Sequence, residues 1–275
     1  MNIGIRLHDT APGTLSERLG FARAQGFTCA HIALSKVLPN FDMNDAPALL
    51  NDELGASLRG ALAENDMECA LLGCYLKLTT ADEEQLERTR AIYRAHLRFA
   101  GKQGIRAVGT ETPPAPDWKA DIRSEESFQR FIQCVQPLVR EAEEAGAYLA
   151  IEPVACHIVN TPERAERMLE MLKSDYVRIV LDAVNLLTRD NHAQADAIIE
   201  ESIRRFGDRV VLLHMKDYIV DPEAYMVKSI ACGTGVMRYE RLIRFAQERN
   251  LPMTLEDTKP DNAESARLFL EAVKP

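Results

Sequence analysis

Four side chains able to bind a metal ion close four apolar runs. Glu152 ends YLAIE, Asp182 ends VRIVLD, His214 ends VVLLH and Glu256 ends MTLE. Their separations of 30, 32 and 42 residues each fit one strand-plus-helix unit, the last lengthened by a long loop. If the runs are successive parallel strands, the four groups meet at one ring of strand ends. Three carboxylates brought together repel, and each is driven toward its protonated form. A divalent cation removes that conflict. One imidazole with three carboxylates is a mixed hard and borderline donor set, which suits one Mn²⁺, Mg²⁺ or Co²⁺ ion and admits Zn²⁺. A single acid at a strand end is ordinarily a helix cap, and a lone His there a satisfied core or rim group. Four in succession are hard to explain that way.

The elements that must position them alternate along the chain. Eight short runs rich in Val, Ile and Leu read as strands: 2–6, 29–34, 69–76, 107–111, 148–152, 177–182, 210–214 and 253–256. Most lack strict alternation, as expected of a parallel sheet covered on both faces. Between them lie segments with apolar residues at helical spacing, such as Ala165, Met168, Leu169 and Leu172. Thr14 with Glu17 and Thr80 with Glu83 have capping-box spacing, and Thr161-Pro162 reads as an N-cap followed by Pro at the first helical position. Pro137 is expected to kink or break the helix that contains Phe128, Phe131, Ile132 and Val135. Eight such units predict a single (β/α)8 TIM barrel over residues 1–275, with chemistry at the carboxyl ends of the strands. No GxGxxG follows any strand, which disfavours a dinucleotide-binding open sheet.

Gross properties exclude several classes. The chain has 275 residues, a formal charge of −9 and 46% hydrophobic residues. An acidic surface disfavours nucleic acid and anionic membranes as partners. The start, MNIGIRLHDT, has no secretory pattern, and no apolar run approaches a membrane span. Six cysteines without a CxxC pair read as reduced core residues of a cytoplasmic protein.

AIEP with Glu152, VLDAVNLL with Asp182, LHMKD with His214 and TLED with Glu256, in that order, resemble the sugar phosphate isomerase/epimerase superfamily, the xylose-isomerase-like barrels. LGCYL (72–76) and VGTET (108–112) look like two further stretches common in it. The resemblance covers the whole chain. It implies one divalent metal held by Glu152, Asp182, His214 and Glu256, with Glu152 and Glu256 also acting as acid and base. Such an enzyme isomerises or epimerises a carbohydrate by moving a proton next to a carbonyl, through a metal-stabilised enediolate. The partner expected is a small sugar or polyol, and the resemblance also allows a homo-oligomer. Alternatives are an inosose-type dehydratase using the same site, or a non-catalytic sugar-binding barrel with a structural metal. In ketose 3-epimerases a His follows the metal Asp by three, and an Arg follows the metal His by six. Here those places hold Asn185 and Val220, so the sugar bound is expected to differ. Endonucleases of the same superfamily use three metals and many histidines; six His and an acidic surface disfavour that reading.

Other residues belong to the same face. Glu111, at the fourth strand end, and His157, five residues after Glu152, are candidate hydroxyl contacts. Asn185 is a candidate substrate contact or support. Lys216 shares the face of His214 by strand alternation, and could neutralise carboxylates or hold an anionic substrate group. Arg6 and His8 end the first strand and either face the site or pair with Asp9. Tyr75 and Trp118 are candidate pocket walls. CGTG (232–235) only faintly resembles a phosphate-cradling loop, and a turn before the seventh helix is the expectation.

Overall fold

The structure, a computed structural model, describes residues 1–113 and 121–275; Trp118 lies outside them. Eight parallel strands close a barrel: β1 (Ile3–Arg6), β2 (Cys29–Ile32), β3 (Glu68–Gly73), β4 (Ala107–Glu111), β5 (Tyr148–Glu152), β6 (Val177–Asp182), β7 (Val210–Met215) and β10 (Met253–Leu255). Order around the barrel follows the chain, with β10 between β7 and β1. In the loop after β7, β8 (Asp217–Ile219) and β9 (Lys228–Ile230) pair antiparallel as a separate hairpin.

Each barrel strand leads into a helix on the outside. These are α1 (Leu15–Ala24), α4 (Asp52–Glu64), α5 (Glu83–Gln103), α6 (Glu125–Ala145), α7 (Pro162–Leu172), α8 (Ala195–Phe206), α9 (Glu240–Arg249) and α10 (Ala263–Ala272). Two single-turn helices, α2 (Leu34–Val37) and α3 (Ala46–Leu49), fill the loop between β2 and α4. Among the described residues, no helix is long and apolar enough to cross a membrane, and the six cysteines are free.

Local chemistry accounts for the helix ends. Thr14 and Glu17 form the expected capping box, and Thr161 caps α7 through Arg164 N–H. The expected Thr80–Glu83 box does not form. Asp82 caps α5 instead, because its carboxylate reaches two free N–H groups, those of Glu84 and Gln85. Gly104 and Gly146 end α5 and α6 in the left-handed conformation.

Pro137 does not break α6. Proline has no N–H for the carbonyl four residues back, Gln133. Arg90 of α5 supplies a donor in its place, Nη2 to Gln133 O at 3.3 Å, and its Nε bonds the next carbonyl, Cys134 O, at 3.0 Å. The helix therefore stays continuous from 125 to 145.

The main core lies between sheet and helices. A second, smaller cluster of Leu71, Ala107, Ala150, Val180 and Leu212 fills the barrel interior. Side chains alternate along a strand, so stepping by two from that layer keeps to the inward face. Ala150 leads to Glu152, Val180 to Asp182 and Leu212 to His214. The apolar plug thus sets the depth at which the polar ring begins.

Arg90→Ala strips Gln133 O of the donor that replaces the Pro137 N–H and removes the side-chain bond to Cys134 O. We expect a loss of about 1–3 kcal/mol, seen as a fall in thermal midpoint of several degrees, while Arg90→Lys recovers part of it.

Candidate functional site

Inward-facing residues at the carboxyl ends of the strands converge. β5 delivers Glu152, β6 Asp182 and β7 His214, all buried. Glu256 lies one residue past β10, yet its N–H still bonds Met215 O at 3.0 Å, which holds it against β7. His214 Nδ1 lies 3.0 Å from Glu152 Oε2 and 3.5 Å from Glu256 Oε1. Two residues further on, Lys216 sends Nζ back into the cluster, 2.8 Å from Asp182 Oδ2 and 3.4 Å from Glu256 Oε2. Its ammonium neutralises carboxylates; it does not point to the mouth.

The charges explain one another. Burial opposes protonation of His214, but the carboxylates of Glu256 and Glu152 outweigh it and push the imidazole up to about 9. Burial likewise opposes the Lys216 charge, and Asp182, Glu256 and Glu152 more than compensate, raising it above the ordinary lysine range. Glu256 is also buried, yet His214, Lys216 and Arg6 hold it well below the usual carboxylate range. For Asp182, complete burial wins over Lys216 and pushes the carboxyl up to about 6.

Asn185 supports the carboxylates of the cluster. Its Nδ2 donates to Glu152 Oε1 at 2.5 Å, and its backbone N–H donates to Asp182 Oδ1 at 3.1 Å. With His214 on Oε2, both Glu152 oxygens are engaged, and the carboxylate is fixed in one orientation.

Arg6 does both things considered for it. It pairs with Asp9 at 3.1 Å and reaches Glu256 Oε1 at 3.7 Å and Asp257 Oδ1 at 3.4 Å. His31 was not expected here. The sequence predicts a strand over 29–34, whereas β2 stops at Ile32, which puts His31 near the strand's end. The ring stacks on that of His214 with centroids 5.2 Å apart and lies 4.0 Å from Glu256 Oε1. Burial, reinforced by the His214 charge, keeps it neutral. A lone His in an apolar run was the available signal. Gly73 admits it: a Cβ there would stand 2.7 Å from His31 Nε2.

Glu111 and His157 lie at the mouth. With Tyr75, Lys77 and Thr112 they line a cleft of about 190 Å³. His157 Nδ1 is 3.8 Å from Glu111 Oε2. Burial, then the Glu152 and Glu256 charges, push Glu111 up to about 8; burial holds His157 down to about 4. Tyr75 packs on His31 at 5.5 Å.

The donors fit a divalent ion. Glu152, Asp182 and His214 each offer an atom within 4.8 Å of the others, and so do His31, His214 and Glu256. His31 has both ring nitrogens buried without a hydrogen bond. Borderline nitrogen with hard oxygens is the chemistry of such sites.

A closed (β/α)8 barrel with these donors at its carboxyl face defines a class, and the sequence comparison names it. The chain belongs to the xylose isomerase-like TIM barrel family, whose profile matches residues 19–273. It is 23% identical over 201 residues to an Escherichia coli (strain K12) protein that bears a provisional name, L-ribulose-5-phosphate 3-epimerase SgbU; the match spans 73% of this chain and 67% of that one. It is 25% identical over 167 residues to an inosose dehydratase of Clostridium perfringens, spanning 58% of this chain and about half (54%) of the dehydratase. The crystal structure of IolI protein with a bound zinc atom superimposes with a TM-score of 0.73 at 18% identity, covering 98% of this chain and 95% of the other.

Metal uptake should release protons. At pH 7 the metal-free His214 carries a proton that a ligand nitrogen cannot keep. We expect release of about one proton per ion, measured by titration calorimetry in buffers of different ionisation heat. Apparent affinity should rise with pH up to about 9, where His214 loses its proton unaided, and fall more steeply below about 6, where Asp182 also gains one. A pH-independent affinity would contradict this.

Proposed function

We propose that the chain is a divalent-metal-dependent enzyme that moves a proton on the carbon next to the carbonyl of a sugar or polyol. One observation carries the reading. Glu152 and Glu256 come from strands on either side of β6 and β7, and both reach the same His214 nitrogen. Glu152, Asp182, His214 and Glu256 would hold the ion, which when bound supplies a Lewis acid that offsets the enediolate charge.

The remaining work belongs to side chains. A substrate lying between the two glutamates meets a carboxylate on each side. One, ionised, takes the proton from carbon; the other, entering protonated, gives its proton to the opposite face, which inverts that centre and leaves the two glutamates with their protonation states exchanged. Asn185 fixes Glu152 so that its oxygens do not swing away. Lys216 and Arg6 keep Glu256 ionised. If the proton returns to the neighbouring carbon instead, the outcome is aldose–ketose isomerisation. Similarity to the provisional L-ribulose-5-phosphate 3-epimerase supports the class, and the zinc-bound neighbour supports the metal.

Dehydration is a second reading, favoured by a specific observation. Asn185 stands where ketose 3-epimerases have a substrate-binding His, and it is occupied with Glu152. The same abstraction followed by loss of a hydroxyl would make an inosose-type dehydratase, the activity named for the Clostridium perfringens relative.

The test is carbon-bound deuterium, read by NMR, after metal-loaded protein meets a panel of ketoses and inososes in D₂O. Exchange with retained oxygen supports epimerisation or isomerisation; loss of water with new carbonyl absorbance supports dehydration. Glu152→Gln and Glu256→Gln should each lower exchange by at least about 10²-fold. Tight binding without exchange in the wild type would replace the enzyme reading with a sugar-binding barrel. Elemental analysis should find about one divalent ion per chain, lost in His214→Ala.

A further inference from the structure

His31 lies inside the charged cluster yet takes part in none of its hydrogen bonds. It is 2% exposed, and both ring nitrogens are buried without a partner. Around it the network is closed: His214 bonds Glu152, Asn185 bonds Glu152, and Lys216 pairs with Asp182 and Glu256. Burying a polar group without a hydrogen bond is costly, and such a group in a folded protein needs a reason, a bound ion being one.

The surroundings of His31 are those of a ligand. Its Nδ1 lies 4.0 Å from Glu256 Oε1, and His31, His214 and Glu256 each offer an atom within 4.8 Å of the others. Metal–ligand bonds of roughly 2.0–2.2 Å put two donors of one ion at most about 4.4 Å apart, so a small closure brings this imidazole in. Neither nitrogen is bonded, so turning the ring toward Glu256 breaks no hydrogen bond. The backbone makes room for it. Gly73 leaves space beside Nε2, and the β2–β3 ladder shifts register between Ala30 and His31, an irregularity of the kind that re-aims a side chain.

Charge favours the same role. Lys216 and a divalent ion together match the three carboxylates of Glu152, Asp182 and Glu256, while Arg6 is shared with Asp9 and Asp257. A further carboxylate ligand would bring an unbalanced buried charge. An imidazole adds a donor and no charge.

Resting on the metal-dependent function proposed above, we infer that His31 is a fifth ligand beside Glu152, Asp182, His214 and Glu256, and that the ion is one that takes two imidazoles: Co²⁺, Ni²⁺ or Zn²⁺ rather than Mg²⁺. Imidazole suits these later ions, whereas Mg²⁺ keeps oxygen ligands and several waters.

The test loads wild type and His31→Leu, which has similar bulk and no donor, with Co²⁺. X-ray absorption at the cobalt edge, where scattering from the outer ring atoms reports imidazole ligands, should count about two imidazoles per ion in wild type and about one in the variant. About one in wild type overturns the inference. Calorimetric titration is the second readout. Any site of nitrogen and oxygen binds later ions more tightly, so the ratio of variant to wild type decides, not the order itself. His31→Leu should bind Co²⁺ at least about tenfold more weakly, with Mg²⁺ affinity changed by less than about threefold. Equal losses for both ions, or no loss for either, overturn it. A wild type that takes up no Co²⁺ defeats the metal-dependent function, and this inference with it. An ion bound with one imidazole leaves that function standing and removes only His31. The wild-type spectrum needs no variant and decides the question even if His31→Leu fails to fold.

Discussion

Three buried carboxylates, Glu152, Asp182 and Glu256, share one pocket, and each must be balanced by positive charge. Two unit charges 3–4 Å apart interact by roughly 4–6 kcal/mol at the effective dielectric of about 20 suited to protein sites. Leaving such a group unpaired costs about 3–5 kcal/mol. The structure meets this with an internal set of cations. Lys216 lies between Asp182 and Glu256, protonated His214 between Glu152 and Glu256, and Arg6 over Glu256 from the far side. This balance lets the barrel fold with its acids gathered. On the proposed reading, Glu152, Asp182, His214 and Glu256 would hold a divalent ion, whose charge would serve the same balance.

The barrel supplies the precision this balance needs. Inward side chains recur every second residue, so the apolar layer from Leu71 to Leu212 fixes where the polar ring starts. The ladder pairs Glu111 with Glu152 and Asp182 with His214, and those registers set which groups meet. Space is as necessary as charge. Gly73 leaves room for the His31 ring, and a Cβ at Gly109 would stand 2.5 Å from Leu71 Cδ2. Any side chain at either position would push into the interior from the wall of the barrel.

Much of this was legible in the residues. Apolar runs with regular spacing marked all eight barrel strands, and the ends of four of them marked the groups that meet in the pocket. What escaped depended on distance through space. His31 was invisible as a site residue because its run looked longer than β2, and its partners come from β7 and the segment after β10. Asn185 could be placed near the site by its offset from Asp182, but only the fold shows it turned onto Glu152. Lys216 had two plausible jobs, and the proximity of Asp182 decided between them. The β8–β9 hairpin went unread because its strands are three residues long, too short for a periodic pattern to register. Asp82 displaced Thr80 as a helix cap through a contest between two neighbouring polar side chains, which spacing alone does not resolve.

The ring by itself does not choose among reactions. Epimerisation, isomerisation and dehydration all begin with removal of a proton next to a carbonyl, and all need the same charge offset at that moment. Their paths divide at the enediolate, according to what faces the next carbon. A second carboxylate across the ring favours return of the proton, whereas a proton donor beside a β-hydroxyl favours loss of water. Beside the ring, Glu111 and His157 line the cleft at the mouth. Removing a member of the ring would leave a buried charge unpaired and so endanger folding, whereas loops at the carboxyl face of a barrel can vary without that cost.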